Sequence, residues 1–249
     1  MAGNRCIPIK KPLVAYMAEH FPEYSFVGVN GMFYGFTRFC GDGTYEHIVI
    51  QREFYEGTIS LVLTEVAVCY NRNWRGIPWF TIGYETDIAV LITGSKIYDA
   101  STGWRRCEND KNKLNGLFDA IGADIRKYVF PFFHECHQKI GSDKIRKRVC
   151  EYLQAELPNL SEETVASIKQ HIHEMNQVYS RYMAECRKKG ENPTLKVSQM
   201  DPLHPQEKSW MTDIQRILGF PALSESAYNR IYGYMIILFR DYYDFYNYS

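Results

Sequence analysis

The chain has 249 residues, with 29 Lys plus Arg against 29 Asp plus Glu, and seven cysteines. That length is enough to bury a full core, in one large domain or two small ones. The charge balance holds locally, at 15 of each sign through residue 140 and 14 of each beyond it, which excludes the basic surplus on which nucleic-acid binders depend.

The cysteines (Cys6, Cys40, Cys69, Cys107, Cys136, Cys150 and Cys186) are scattered and form no C-x-x-C. They read as reduced thiols of a cytosolic protein rather than as a disulfide scaffold. Residues Met1 to Lys11 lack the apolar core of a signal peptide. The apolar run Met235 to Phe239 falls far short of a membrane span. The expectation is a soluble, cytoplasmic protein with no membrane partner and no nucleic-acid partner.

In chain order, Pro12 to His20 predicts a short helix with Leu13 and Met17 on one face, closed at Phe21-Pro22 because a residue before proline avoids the α region. From Met32 to Ile92 the pattern is β. Phe33, Phe36 and Phe39 lead into the turn Gly41-Asp42-Gly43. Tyr45 to Arg52 alternates, with Ile48 and Ile50 on one face and His47, Val49 and Gln51 on the other. A second turn at Glu56-Gly57 precedes the run Ile59 to Val68. Such alternation bounded by glycine turns predicts an antiparallel meander. Ile88 to Ile92 reads as one further, central strand. Asn71 to Trp79 breaks the pattern and reads as a loop, and Gly94 to Asp110 is turn-rich around Trp104-Arg105-Arg106.

A long helix follows from about Lys113 to Lys139, where Leu114, Leu117, Phe118, Ile121, Ile125, Tyr128, Val129 and Phe132 recur every three or four residues. Pro131 is expected to kink it, and Gly141 to end it. Beyond that the chain reads as helix only: Asp143 to Leu157, a helix capped by Ser161 with the seam Val165, Ile168, Ile172, Met175, Tyr179, Tyr182 and Cys186, and a last helix with the seam Tyr228, Ile231, Met235, Leu238, Tyr242 and Phe245. Residues 190–205, with Pro193, Pro202 and Pro205, form a long connection. The fold class is therefore α+β: an antiparallel β-meander covered by a long helix over 1–140, then an all-helical region over 141–249. The aromatic last helix is the expected homodimer face.

No residue pattern announces a reaction. His134-Glu135-Cys136-His137 has metal-binding residue types, but Cys136 points nearly 100° from His137 on an ideal helix and no second cluster supplies further ligands. His171-Ile172-His173 fails in the same way, since H-E-x-x-H is absent. Cys40 and Cys107 lie near turns, and nothing in the spacing shows a His or Asp within reach of either thiol. Glu85, Asp87 and Asp99 beside Tyr84 read as solvated strand-end carboxylates. Neither a catalytic set nor a metal or cofactor is expected.

What remains is aromatic and cationic: Trp74, Arg75 and Trp79 in one loop, and Trp104, Arg105 and Arg106 in another. Trp and Arg dominate interface hot spots because they join large contact area to directed hydrogen bonds. Phe33-Tyr34-Gly35-Phe36-Thr37-Arg38, Ile48-Val49-Ile50-Gln51-Arg52 and Trp104-Arg105, within the order helix, meander, Trp-Arg element and long helix, resemble small bacterial α+β domains of unassigned function. Some domains of that sort act as immunity proteins. Over residues 15–135 the resemblance implies a module that binds another protein, as an inhibitor or immunity factor; by residue type, the six Trp and Arg residues are the surface expected to dock that partner. The alternative is an enzyme or small-molecule binder with a site between sheet and long helix, using Glu85, Asp87 or His134.

Overall fold

The computed structural model describes residues 7–54, 60–73, 82–94, 103–193 and 203–244. The chain divides into two compact units, 1–142 and 143–249. The first holds an antiparallel sheet and its helices, and the second is helical, so the protein is α+β with a helical C-terminal region. Among the described residues no helix is long and apolar enough to cross a membrane.

The sheet runs β1 (Ser25–Asn30), β2 (Phe33–Phe39), β3 (Tyr45–Phe54), β4 (Ser60–Cys69) and β5 (Gly83–Asp87) in sequence order, with a short β6 (Arg105–Cys107) also on β4. β5 takes the Glu65–Cys69 half of the β4 edge, and β6 takes Ser60–Val62. The predicted turn is in place: Gly41 and Gly43 sit at φ 78° and 83°, a region costly for other residues. β1 lies outside the predicted meander, and β6 lies inside the stretch read as turns. Both carry too little alternation to stand out, β6 because it has three residues. The sheet buries both faces at its centre. Phe36, Ile48, Ile50, Val66 and Val68 lie on one side, and His47, Val49, Ala67 and Cys69 on the other.

One expected strand is a helix. Ile88 to Ile92 forms α2 (Ile88–Thr93), not a central strand. A continuous apolar run reads the same in either state, and the flanks decide: the Asp87 carboxylate accepts the Val90 N–H at 3.0 Å, and Gly94 closes the helix at φ 68°. Asp87→Ala removes that N-cap and is expected to cost the first unit about 1 kcal/mol. Asp87→Asn, which keeps an acceptor there, should cost little. Urea midpoints of the two variants give the comparison.

The helix α1 (Lys10–His20) buries Leu13 and Met17 as the pattern required. The long helix is present from Leu114 to Ser142, but as two α segments, α3 (Leu114–Asp124) and α4 (Phe130–Ser142), joined by a π turn over Ile125–Val129. The Phe130 N–H reaches the Ile125 carbonyl, the five-residue bond of that geometry. The wider turn sits just before Pro131 and moves the buried stripe onward as Ile125, Val129, Phe133, Cys136 and Ile140. Phe133 therefore fills the core where Phe132 was expected, and Phe132 is half-buried.

In the second unit, α5 (Lys144–Glu156) is capped by Asp143 and α6 (Glu162–Lys189) by Ser161. Two further helices follow: α7 (Pro205–Leu218), absent from the sequence reading, and α8 (Glu225–Tyr242). α5 packs on both α7 and α8. The two heptad-spaced helices meet where the Tyr232 hydroxyl lies 3.0 Å from Met175 Sδ and Arg240 Nη2 lies 3.3 Å from Asn176 Oδ1. Ile231, Met235, Leu238 and Phe239 are buried within this unit.

Candidate functional site

Two places in the first unit gather groups with recognisable chemistry. The first is a pocket of about 380 Å³ between β6 and α3, lined by Trp104, Arg105, Arg106, Glu108, Lys113, Leu114, Gly116, Leu117 and Ala120. β6 delivers Trp104 to Arg106 by pairing with β4, and α3 turns its Leu114–Ala120 face toward them. Within the pocket the cations differ in role. Arg105 Nε lies 2.8 Å and Nη2 2.5 Å from Asp124 Oδ2, which ties β6 to α3. Lys113 pairs with Glu108 at 2.5 Å. Arg106 is exposed and has no ion-pair partner among the described residues. Trp104 is half-buried and keeps part of its surface at the rim.

Of the six expected binding residues, Trp104, Arg105 and Arg106 therefore share one pocket. Trp74, Arg75 and Trp79 lie outside the described residues. Arg105 has its charge satisfied by Asp124, so Trp104 and Arg106 are the members free to meet a ligand.

The second place is where α4 crosses the sheet. Glu46 on β3 is 2% exposed. Its Oε1 accepts from Arg38 Nη2 at 2.8 Å and faces His137 Nε2 at 2.9 Å, while Oε2 accepts from the Tyr24 hydroxyl. Burial alone would raise this carboxyl; the hydrogen bonds from His137, Tyr24 and Arg38 outweigh it and hold it below its ordinary value. Hydrogen bonding with Cys40 and then with Glu46 pushes His137 up to about 10, against a smaller desolvation effect. The metal-binding and nucleophilic atoms of Cys40, Glu46 and His137 lie within 4.8 Å of one another.

The sequence reading missed this trio because His137 and Glu46 are 91 residues apart in the chain. It also weighed His137 together with Cys136, which is 1% exposed and faces the core. His134 points outward to Gln138.

No family model, curated protein or solved structure matches this chain.

The residues of the alternative reading fall elsewhere. Glu85 and Asp87 share a sheet face with Glu65, whose carboxyl is pushed up to about 7 by burial and then by Asp87, Glu85 and Glu53. Asp87 is occupied as the α2 cap, and Asp99 lies outside the described residues. Glu65, Glu85, Asp87 and His134 do not line the pocket.

Proposed function

We propose that the first unit is a protein-binding module, acting as an inhibitor or immunity factor in the bacterial cytoplasm without chemistry of its own. It anchors an acidic segment of its partner in the pocket beside β6. The single observation that carries this reading is the composition of that pocket: an aromatic and apolar wall of Trp104, Leu114, Leu117 and Ala120 beside Arg105, Arg106 and Lys113, with Glu108 as the opposing charge. With Arg105 held by Asp124 and Lys113 by Glu108, the charge left over for an anionic guest is that of Arg106. The unpaired Arg106 offers its guanidinium without first breaking an internal ion pair. A concave aromatic-and-arginine anchor is where interface energy concentrates. The free thiols of Cys40, Cys69, Cys107, Cys136, Cys150 and Cys186 fit a reducing compartment.

A homodimer through α8 is a second partner in this proposal. Tyr242 is its exposed large side chain, at 41%. The second reading, a small-molecule binder, is favoured by the pocket volume, which lies in the range of ligand clefts.

The test is recovery of the tagged chain from its host with identification of bound material by mass spectrometry, followed by titration of the recovered partner. The binding reading expects a stoichiometric protein. Trp104→Ala should weaken its affinity about 30-fold, as loss of a hot-spot side chain does, and Arg106→Glu should weaken it at least as much. Both variants should keep the wild-type melting temperature. A chain that emerges alone removes the reading, and a co-purifying metabolite displaced by Arg106→Glu installs the second one.

A further inference from the structure

We propose that Cys40, Glu46 and His137 form a binding site for a divalent transition-metal ion of the zinc class, each side chain supplying one donor atom. This is independent of the pocket beside β6, with which the trio shares no residue.

The donor set is a thiol, a carboxylate and an imidazole, the three side-chain types that bind zinc. Sulfur and nitrogen donors favour such an ion over magnesium or calcium, which take oxygen ligands. Zinc–ligand bonds of about 2.0–2.3 Å at tetrahedral angles place neighbouring donors about 3.5 Å apart. The trio, gathered within 4.8 Å, therefore closes on a cation by side-chain movement of about an ångström. His137 and Glu46, at 2.9 Å, open slightly as the cation replaces the proton between them.

The surroundings already hold the ligands in position, as outer-layer partners of a metal site do. Tyr24 and Arg38 fix the Glu46 carboxylate from the sheet side. Cys40 is pinned at the hairpin, where its N–H donates to the Thr44 carbonyl at 3.0 Å. Asp42 Oδ2, half-exposed, lies 3.9 Å from His137 Nδ1, the ring nitrogen turned away from Glu46, where its charge steadies the ring, and a water takes the fourth position.

The charges close. A thiolate and the Glu46 carboxylate balance a dication. Binding displaces one proton from the thiol and one from the His137–Glu46 pair, both to solvent.

The test uses the full chain stripped of metal by a chelator and titrated with Co²⁺, a visible stand-in for zinc, and then competed with Zn²⁺. The expected result is saturation at one ion per chain with a thiolate-to-cobalt charge-transfer band. Cys40→Ser should abolish the band, and His137→Gln should weaken binding at least about tenfold. His134→Gln, one turn away and exposed, should leave it unchanged. Alkylation mapped by mass spectrometry needs no variant: Zn²⁺ should slow labelling of Cys40 at least about tenfold in the wild-type chain. Absence of the band, its survival in Cys40→Ser, or labelling of Cys40 indifferent to Zn²⁺ would each overturn the site.

Discussion

Gly83→Ala should destabilise the first unit by about 3 kcal/mol or more, the largest single-residue effect expected outside the bulky core. The cause is room rather than backbone freedom, because Gly83 is not among the glycines at positive φ. A Cβ built there falls 2.0 Å from the Val68 carbonyl oxygen and 2.6 Å from Cys69 Cα. Those are main-chain atoms of β4, in the register that pairs Cys69 with Gly83, so no rotamer can give way. Relief requires β5 to move off the half of β4 that it covers. Gly94→Ala is the contrast: that glycine sits at φ 68° with nothing within 4 Å, so an added methyl meets only conformational strain of about 1 kcal/mol. Urea unfolding separates the two. A Gly83→Ala midpoint equal to that of the wild type would mean that β5 is not held against β4 as described.

His47→Asn should destabilise the first unit strongly at pH 7 and much less at pH 4. His47 is 1% exposed on β3. Its Nε2 lies 2.9 Å from the Asn71 carbonyl, and its Nδ1 lies 2.8 Å from the Thr37 hydroxyl. Both contacts suit a neutral ring that donates to the carbonyl and accepts from the hydroxyl. Burial is the main reason that the ring is pushed down to about 4; the Asn71 bond and the Glu46 charge oppose it weakly. In the unfolded chain the same ring takes a proton near 6.5. Below that pH the unfolded state therefore gains protonation energy that the folded state refuses. The contribution is whole above 6.5 and drains away as the pH falls to about 4, a span corresponding to about 3 kcal/mol.

Glu65 acts in the opposite sense. Its carboxyl, held at about 7 in the fold against 4.5 unfolded, contributes fully below 4.5 and loses that contribution as the pH rises to 7. The difference between wild type and His47→Asn removes this shared background. Denaturant midpoints at pH 4, 5.5 and 7 report it, and a difference that stays constant with pH would show that His47 takes up its proton as readily in the fold as in the unfolded chain.

Where the two histidines of the sheet region end up shows how far the chain could be read in advance. The alternation of Tyr45 to Arg52 placed His47 opposite Ile48 and Ile50, and the strand does so. The hairpin glycines, the Ser161 cap and the buried positions of α1 and of the α6 seam were likewise legible, because each depends on residues within a few positions of one another. His137 was not. Its direction is set by the π turn at Ile125–Val129 and by the packing of α4 on β4, and its partners Cys40 and Glu46 come from the opposite end of the unit.

Trp104, Arg105 and Arg106 stood out by residue type. Only the pairing of β6 with β4 formed a pocket around them, and only Asp124 on α3 distinguished the structural Arg105 from the open Arg106. Ile88 to Ile92 reads as a central strand from its apolar run and is instead a helix, through Asp87 and Gly94. By itself, then, the sequence determined the α+β class, the turn at Gly41 to Gly43, the Ser161 cap and the buried positions of α1 and α6, all of them consequences of local period and backbone preference. Tertiary structure decided which distant side chains meet, because that follows from the register between strands and the rotation of helices, and a single π turn can shift that rotation by one residue.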